Sequence, residues 1–496
     1  MFERVSFEVE NIMKIYLDDT IDSYRLFLKI KCLPRYEMHG RMAVVPDEYG
    51  KQLGVISAIA EEHSDYLPKE GLFDYQRDIV RLAILKRKYA IFADCGLGKT
   101  LMLLEFARHV RAIQKKPVLI VSPLMVVQQT IDEAKKFYGD SLPIEKVVSK
   151  DLKKWMSTGD EKLGITNYDA LRDDTPSGDL GGLILDESSM LKSHYGKWGQ
   201  VCLRIGAGVE WKLALTGTPA PNDRIEFANH AVFLDAFPNV NSFLARFFVN
   251  RGQTSERWEL KPHALEPFYK ALSHWSIFLN DPSTYGWKDN VQSIPPINVN
   301  IEEVEMSDSQ TRSVQGLTGQ LFVTNLGGIT TRAKLSRMAK CESSGKPQYI
   351  ADMVREWPRE STIIWCRYNE EQQTILRLLP EAASIDGNTP HEERQKIIDS
   401  FKAGKIRILI TKPKILGFGL NLQICTRQVF SGLQDSYEEY YQAVKRSNRI
   451  GSVKPLMVHI PVTDIERPMI ENVLRKASRV ELDTKKQEEM FRAAII

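Results

Sequence analysis

The stretch Ala93-Asp94-Cys95-Gly96-Leu97-Gly98-Lys99-Thr100 carries the residue types needed to hold a polyphosphate. Gly96 and Gly98 let the backbone curl so that its N–H groups face the anion, Lys99 neutralises the outer phosphates, and the Thr100 hydroxyl is a ligand for Mg²⁺. Ala93 stands where the strict phosphate-loop pattern has its first glycine. Further on, Gly182-Leu183-Ile184-Leu185 runs into Asp186-Glu187, two carboxylates at the mouth of an apolar run. Beside a bound triphosphate, Asp186 would hold Mg²⁺ through water while Glu187 orients and deprotonates the attacking water. Taken alone, the pair reads equally well as a helix N-cap and first turn, and its place after a phosphate loop is what points to catalysis. Late in the chain, Gln442, Arg446 and Arg449 are spaced to share one face of a helix, offering an amide and two guanidinium forks to charge developing on a γ-phosphate. Without a phosphate loop opposite, such a helix is a solvated surface. The chemistry implied is hydrolysis of ATP with Mg²⁺.

Those residues need a scaffold that brings strand ends together. The apolar run Tyr89 to Ala93 reads as a buried strand, and Leu101, Leu103, Leu104, Phe106 and Ala107 recur at helical spacing, so the loop joins a strand to a helix. Val118 to Ser122, Gly164 to Thr166, Gly182 to Leu185 and Lys212 to Thr216 predict further strands alternating with helices. That alternation gives a parallel sheet, whose ligands gather at the strand C-termini. A second series has strands at Thr362 to Cys366, Ile406 to Ile410 and Leu456 to Ile460, with the glycines of Gly417-Phe418-Gly419-Leu420-Asn421-Leu422 following the middle one.

The expected division is an accessory module over 1–66, a first lobe over 67–222, a helical insertion and linker over 223–296, a second lobe over 297–480, and a C-terminal helix or tail over 481–496. In the module, Val5 to Val9, Ser23 to Ile30 and Met42 to Val45 alternate with turn residues and suggest a strand-rich unit. The insertion is dense in aromatics, among them Phe227, Phe233, Phe243, Phe247, Phe268 and Trp275, which read as helix–helix core before they read as base-stacking platforms. Ser293-Ile294-Pro295-Pro296 supplies the linker.

At 496 residues the chain is too long for one core. Lys+Arg exceeds Asp+Glu by 67 − 64 = 3, so net charge neither demands nor excludes a nucleic-acid partner, and a phosphate-binding groove must come from local clustering. The six cysteines, Cys32, Cys95, Cys202, Cys341, Cys366 and Cys425, show no C-x-x-C and no Cys-His metal spacing, which suits a reduced, cytoplasmic setting without structural zinc. Neither a signal-peptide pattern at Met1 to Val5 nor a run of about eighteen apolar residues is present, so secretion and a membrane partner are not expected.

The A-x-x-G-x-G-K-T form of the loop resembles superfamily 2 helicases, and the resemblance extends from about Leu72 to Ser452. Leu72-Phe73-Asp74-Tyr75-Gln76-Arg77 is similar to the block whose glutamine contacts adenine, which makes Gln76 the base reader, although it also reads as a helix start capped by Asp74. Leu215-Thr216-Gly217-Thr218-Pro219-Ala220-Pro221-Asn222 closely matches the block whose two threonines, here Thr216 and Thr218, couple the nucleotide site to the nucleic-acid groove. A structural turn of Thr, Gly and Pro is the weaker reading. Ser122 with Gln128, and Thr166 with Asn167, resemble the blocks that grip the nucleic-acid backbone in the first lobe. Arg367 and Thr389, with Arg394, resemble their counterparts in the second, and Asn421 belongs with them while Gly419 belongs with the nucleotide. Such hydroxyls and amides bind phosphates without reading sequence. Ser188-Ser189 stands where many relatives carry a small residue and a histidine.

Within the superfamily, Leu215 to Asn222, Gly419-Leu420-Asn421-Leu422 and Arg446-x-x-Arg449-Ile450-Gly451 are similar to the remodeller (switch/sucrose-nonfermenting) branch, in a compact bacterial or phage form. The basic cluster this branch carries ahead of the lobe junction is missing, since Ser273 to Asn280 contains no Arg or Lys. The resemblance implies an α/β fold of two RecA-like parallel-sheet lobes and an ATP-dependent translocase tracking on duplex or branched DNA to remodel, anneal or migrate branches. RNA or single-stranded DNA as the track, a motor subunit of a restriction or defence system, and a non-hydrolysing ATP-gated clamp are the competing expectations.

Overall fold

The computed structural model describes residues 12–53, 66–157, 160–175, 179–192, 196–252, 257–289, 294–306, 308, 311–312, 315, 336–341, 344–416, 421–432, 436–449 and 452–495. Gly417 to Leu420 (hence Gly419), Val5 to Val9, Ser293, Ile450 and Gly451 lie outside them.

A three-stranded antiparallel sheet comes first, in the order β1 (Ile12–Tyr16), β3 (Met42–Pro46), β2 (Glu37–His39). Ser23 to Ile30, expected as part of a strand-rich unit, lies instead in the helix Ile21–Lys31, which starts where the Thr20 side chain accepts the Ser23 N–H. That hydroxyl satisfies one of the orphan donors of the first turn, a local signal stronger than the short apolar run. The module docks on the first lobe, where the Tyr49 hydroxyl lies 2.6 Å from His274 Nδ1 and Lys86 pairs with Glu48 at 2.5 Å.

The first lobe is a seven-stranded, wholly parallel sheet. Its strands are β4 (Lys88–Ala93), β5 (Val118–Ser122), β6 (Glu145–Lys146), β7 (Leu163–Asn167), β8 (Gly182–Asp186), β9 (Trp211–Leu215) and, after the hairpin of β10 (Phe248–Asn250) and β11 (Trp258–Leu260), β12 (Ser276–Leu279). Their spatial order is β12-β4-β9-β8-β5-β7-β6. Alternate residues of one strand enter different cores: Tyr89, Ile91 and Ala93 pack on one face of the sheet, Ala90 and Phe92 on the other. Burial on both faces is why these strands are apolar runs without polar alternation.

The segment 223–296 is therefore not only helical, because β12 pairs in parallel with β4 and completes the first sheet. Its aromatics form a core: Phe227, Phe243, Phe247 and Phe268 are buried, with Phe247 and Phe268 edge to face at 5.5 Å.

The second lobe repeats the plan with six parallel strands, β13 (Ile297–Glu303), β14 (Thr362–Trp365), β15 (Ala383–Ser384), β16 (Ile408–Thr411), β17 (Arg427–Phe430) and β18 (Leu456–Val462). They lie in the order β13-β18-β17-β14-β16-β15. The boundary expected at 480 falls inside one continuous helix, Arg467–Ile495. Ile470 and Val473 of this terminal helix are buried in the second-lobe core, while Phe491 is buried in the first. Between them Asp483 takes a fork from Arg224, at 2.9 and 2.6 Å, and Glu488 accepts the Asn280 N–H at 3.0 Å. Among the described residues no helix is long and apolar enough to cross a membrane, and no group of three or more His, Cys, Asp or Glu could hold a metal.

Candidate active site between the lobes

The phosphate loop leaves β4 and enters the helix Lys99–Ile113 through two left-handed glycines, Gly96 at φ +89° and Gly98 at φ +72°. At Gly98 the constraint is also spatial, since a Cβ there would lie 2.2 Å from Gln76 Nε2. Lys99 Nζ donates to the Ala93 and Asp94 carbonyls at 2.8 and 3.2 Å, holding the loop in its curl. Gln76 is buried against the same loop: its Oε1 accepts the Phe73 N–H at 3.1 Å and its Nε2 donates to the Leu97 carbonyl at 3.3 Å. Both ends of the amide expected to read adenine are thus engaged by the protein.

At the end of β8 the Asp186 carboxylate accepts the Ser122 hydroxyl at 3.0 Å. Burial raises its pKa against the pull of that hydrogen bond and of Lys99. Glu187 turns the chain with φ +50° and ψ 52°, a left-handed corner that a non-glycine residue rarely adopts. Its Oε1 accepts from the Thr216 hydroxyl at 3.3 Å and from Gln442 Nε2 at 3.2 Å, so one carboxylate oxygen meets both lobes. Burial pushes the Glu187 pKa up to about 7, with Lys99 opposing, which poises it to take a proton near neutral pH.

Gln442 lies in the helix Tyr437–Val444, but that helix ends before the arginines, so Gln442, Arg446 and Arg449 do not share a helical face. The polypeptide turns after Val444, with the Arg446 carbonyl accepting the Leu422 N–H at 2.9 Å. Arg446 is 5% exposed with its Nε unpartnered among the described residues, and burial draws its pKa down to about 10, which leaves it a cation at neutral pH. Arg449 Nη1 donates to Asn421 Oδ1 at 3.0 Å. Thr218, next to Thr216, also keeps a buried hydroxyl without a partner among the described residues.

Two further residues reach the loop from the second lobe, and sequence reasoning missed them. Lys445 Nζ pairs with Asp94 Oδ2 at 2.6 Å, and the Tyr441 hydroxyl donates to Asp94 Oδ1. Burial works against the ionised carboxyl, but Lys445 and Tyr441 hold its pKa below the usual carboxylate range. A lysine immediately before an Arg-x-x-Arg block carries no signal of its own without its partner 351 positions away.

Two residues expected to grip nucleic acid have their hydroxyls engaged within the protein. Ser122 is fully buried on Asp186, and Thr166, 1% exposed, donates to the Val147 carbonyl at 2.8 Å. Each sits at a strand end where its hydroxyl satisfies a neighbouring strand or carboxylate. Asn167 caps the turn after β7, accepting the Ala170 N–H at 3.0 Å. Gln128 is exposed, donating to Asp132 at 3.0 Å, and lines a cleft of about 390 Å³ facing Arg394 of the second lobe. Arg367 has no partner for Nη1 among the described residues, and Thr389 is tied to Asp386 at 3.0 Å.

The donor set fits a magnesium nucleoside triphosphate: a hydroxyl and a carboxylate at Thr100 and Asp186, and buried unpartnered N–H and O–H groups at Arg446 and Thr218. The two family models that match the chain agree with use of ATP. The SNF2-related domain matches residues 75–348 and the helicase conserved C-terminal domain residues 345–451. The chain is 23% identical over 471 residues to the Drosophila melanogaster SWI/SNF-related matrix-associated actin-dependent regulator of chromatin subfamily A-like protein 1, covering 90% of this chain and 59% of that one. It is 23% identical to the putative protein p41 of Acyrthosiphon pisum secondary endosymbiont phage 1, covering 78% and 91%. It is also 23% identical to the mouse DNA annealing helicase and endonuclease ZRANB3, covering 82% of this chain and 40% of that protein. A solved structure of the Sulfolobus solfataricus SWI2/SNF2 ATPase core in complex with dsDNA aligns over 86% of this chain and 96% of its own at 18% identity, with a TM-score of 0.41. With more than half of its length matched by the SNF2-related domain, the chain belongs to that family of superfamily 2 ATPases.

Proposed function

We propose that the protein is a DNA translocase that turns ATP hydrolysis into movement along duplex or branched DNA, and so remodels, anneals or migrates branches. The observation that carries the reading is the meeting of Gln442 from the second lobe with Glu187 from the first at 3.2 Å, beside Lys99 and Arg446. A hydrolytic residue that touches both lobes makes turnover depend on their closure, which is what converts binding and release into steps.

In this reading ATP lies on the Gly96 to Thr100 backbone, and Lys99 exchanges the Ala93 and Asp94 carbonyls for phosphate oxygens. Glu187 takes the proton of the attacking water while Arg446 and Arg449 stabilise the charge that develops on the transferred phosphoryl group. Thr100 and Asp186 would hold Mg²⁺, which would supply charge neutralisation on the phosphates. Gln128 and Asn167 from one lobe and Arg367, Thr389 and Asn421 from the other meet the DNA backbone, with little sequence preference. Family membership supports the motor, and the DNA annealing activity in the mouse relative's name supports the track.

Steady-state hydrolysis without nucleic acid and with duplex, single-stranded and forked DNA and RNA, at one low salt concentration, tests this. Duplex or forked DNA stimulates turnover, and Lys99→Ala and Glu187→Gln each abolish it. Stimulation by RNA or single strands alone discards the duplex track, and turnover retained in either variant discards the mechanism.

A further inference from the structure

Glu187 occupies a left-handed backbone conformation that disfavours a non-glycine residue, so its surroundings must hold it there. On its N-terminal side the hold is plain: Tyr168 donates to the Asp186 carbonyl at 2.8 Å, and Ser122 to the Asp186 carboxylate. On its C-terminal side come Ser188 and Ser189, both fully buried, and the Ser189 hydroxyl has no partner among the described residues. Ser188 Oγ lies 3.0 Å from Nε2 of His230, on the helix Phe227–Phe233.

His230 is fully buried, edge-on to Phe92 at 5.3 Å, and burial draws its pKa down to about 4, so the ring is neutral at pH 7. Its Nδ1 faces the Glu226 carbonyl at 3.4 Å. The ring is therefore held on both nitrogens, by Ser188 on one side and by the Glu226 carbonyl on the other. An aliphatic side chain would fill this space among phenylalanines without a desolvated imidazole. What the imidazole adds is the hydrogen bond to the residue after Glu187.

The same ring stands beside the other loop that touches Glu187. The Glu226 carboxylate accepts the Asn222 N–H at 2.8 Å and Nδ2 at 2.9 Å, closing the end of the block whose Thr216 reaches Glu187 Oε1. We infer that His230 is a positioning residue for hydrolysis: through Ser188 it fixes the corner that aims Glu187, and through the Glu226 turn it sets that corner against the Thr216 block. The inference rests on Glu187 being the residue that activates water.

The test measures kcat and KM for DNA-stimulated ATP hydrolysis, affinity for a fluorescent ATP analogue, and thermal stability, in Ser188→Ala, His230→Leu, His230→Gln, the Ser188→Ala/His230→Leu pair and Glu187→Gln. Ser188→Ala removes the hydroxyl–imidazole hydrogen bond with little change in core volume, so it reports even where the His230 variants fold poorly. Expected are a fall of roughly tenfold in kcat for Ser188→Ala and for His230→Leu, the size of one hydrogen bond lost from the transition state, with analogue affinity held within about twofold. The pair falls no further than the worse single variant, and His230→Gln recovers part of the loss. An unchanged kcat in Ser188→Ala, additive losses in the pair, or losses that follow analogue affinity or the folded fraction overturn the inference while Glu187→Gln stays inactive. An active Glu187→Gln overturns the catalytic reading itself and the inference with it.

Discussion

Replacing Lys445 by alanine tests whether the cleft is held shut by its own side chains. Asp94 and Lys445 are 11% and 15% exposed, so their 2.6 Å contact is little screened by solvent. A hydrogen bond between charged groups contributes about 1.5–3 kcal/mol, and a loss near 2 kcal/mol lowers the closed-to-open ratio about 30-fold. In the proposed mechanism hydrolysis needs Glu187 beside Gln442 and Arg446, so ATP turnover without DNA is expected to fall by up to that factor. DNA that spans both lobes supplies closing free energy of its own, and at saturation it brings Lys445→Ala back to within about threefold of wild type. The assay is ATP hydrolysis against DNA concentration for wild type, Lys445→Ala and Asp94→Asn, the last of which keeps an acceptor for Tyr441 but loses the ion pair. If basal turnover is unchanged, the contact does not govern closure. If saturating DNA fails to rescue Lys445→Ala, the lysine acts in the chemistry, and the argument is refuted in the other direction.

Gly98→Ala places a Cβ 2.2 Å from Gln76 Nε2 at φ +72°, so the Gln76 amide or the loop must shift and the left-handed backbone is strained, and affinity for a fluorescent ATP analogue falls by roughly tenfold or more. Asp483→Ala removes the acceptor of the Arg224 fork and of the Tyr269 hydroxyl at 2.8 Å. With the pair 13–23% exposed the loss is about 2 kcal/mol, and amide exchange over 481–495 accelerates before that of either sheet. His230 titrates near pH 4 when folded and near 6.5 when unfolded, so the unfolded chain gains its proton first as pH falls through 6.5. This one group lowers stability by about 1.4 kcal/mol per pH unit between those values. Glu187, raised on folding, acts with opposite sign, so the measurement is the difference between wild type and His230→Gln in melting temperature at pH 7 and pH 5.

Strands buried on both faces were legible because burial demands an unbroken apolar run, and Val118 to Ser122 was read end to end. Ser276–Leu279 was not, because four residues inside an aromatic segment have no period of their own, and what makes them a strand is β4, paired from 186 positions earlier. The phosphate loop and the Asp-Glu pair were legible for a related reason, since both are local devices whose chemistry depends on adjacent residues. The roles of Ser122 and Thr166 depend on which neighbour a hydroxyl turns towards, and spacing along the chain does not encode that. The same limit hid His230: a histidine on an apolar helix face is ordinary core until Ser188 is seen 3.0 Å away.

The unread part matters most where the lobes join, because they join twice and by different physics. At the cleft the ties are polar: Gln442 to Glu187, Lys445 and Tyr441 to Asp94, and Lys192 to Glu438. Each is exchangeable for water or phosphate at modest cost. On the terminal helix the ties include apolar burial, with Phe491 3% exposed in the first-lobe core and Val473 fully buried in the second. Withdrawing either exposes surface with no compensating partner, at about 25 cal/mol per Å². Opening the cleft alone would therefore cost less than unseating either end of Arg467–Ile495. That helix also grips the block next to the site, since Arg479 donates to the Asn222 carbonyl at 2.6 Å and Lys476 to its side chain at 3.1 Å. Asn222 thus ties the terminal helix to the end of the block whose Thr216 reaches Glu187.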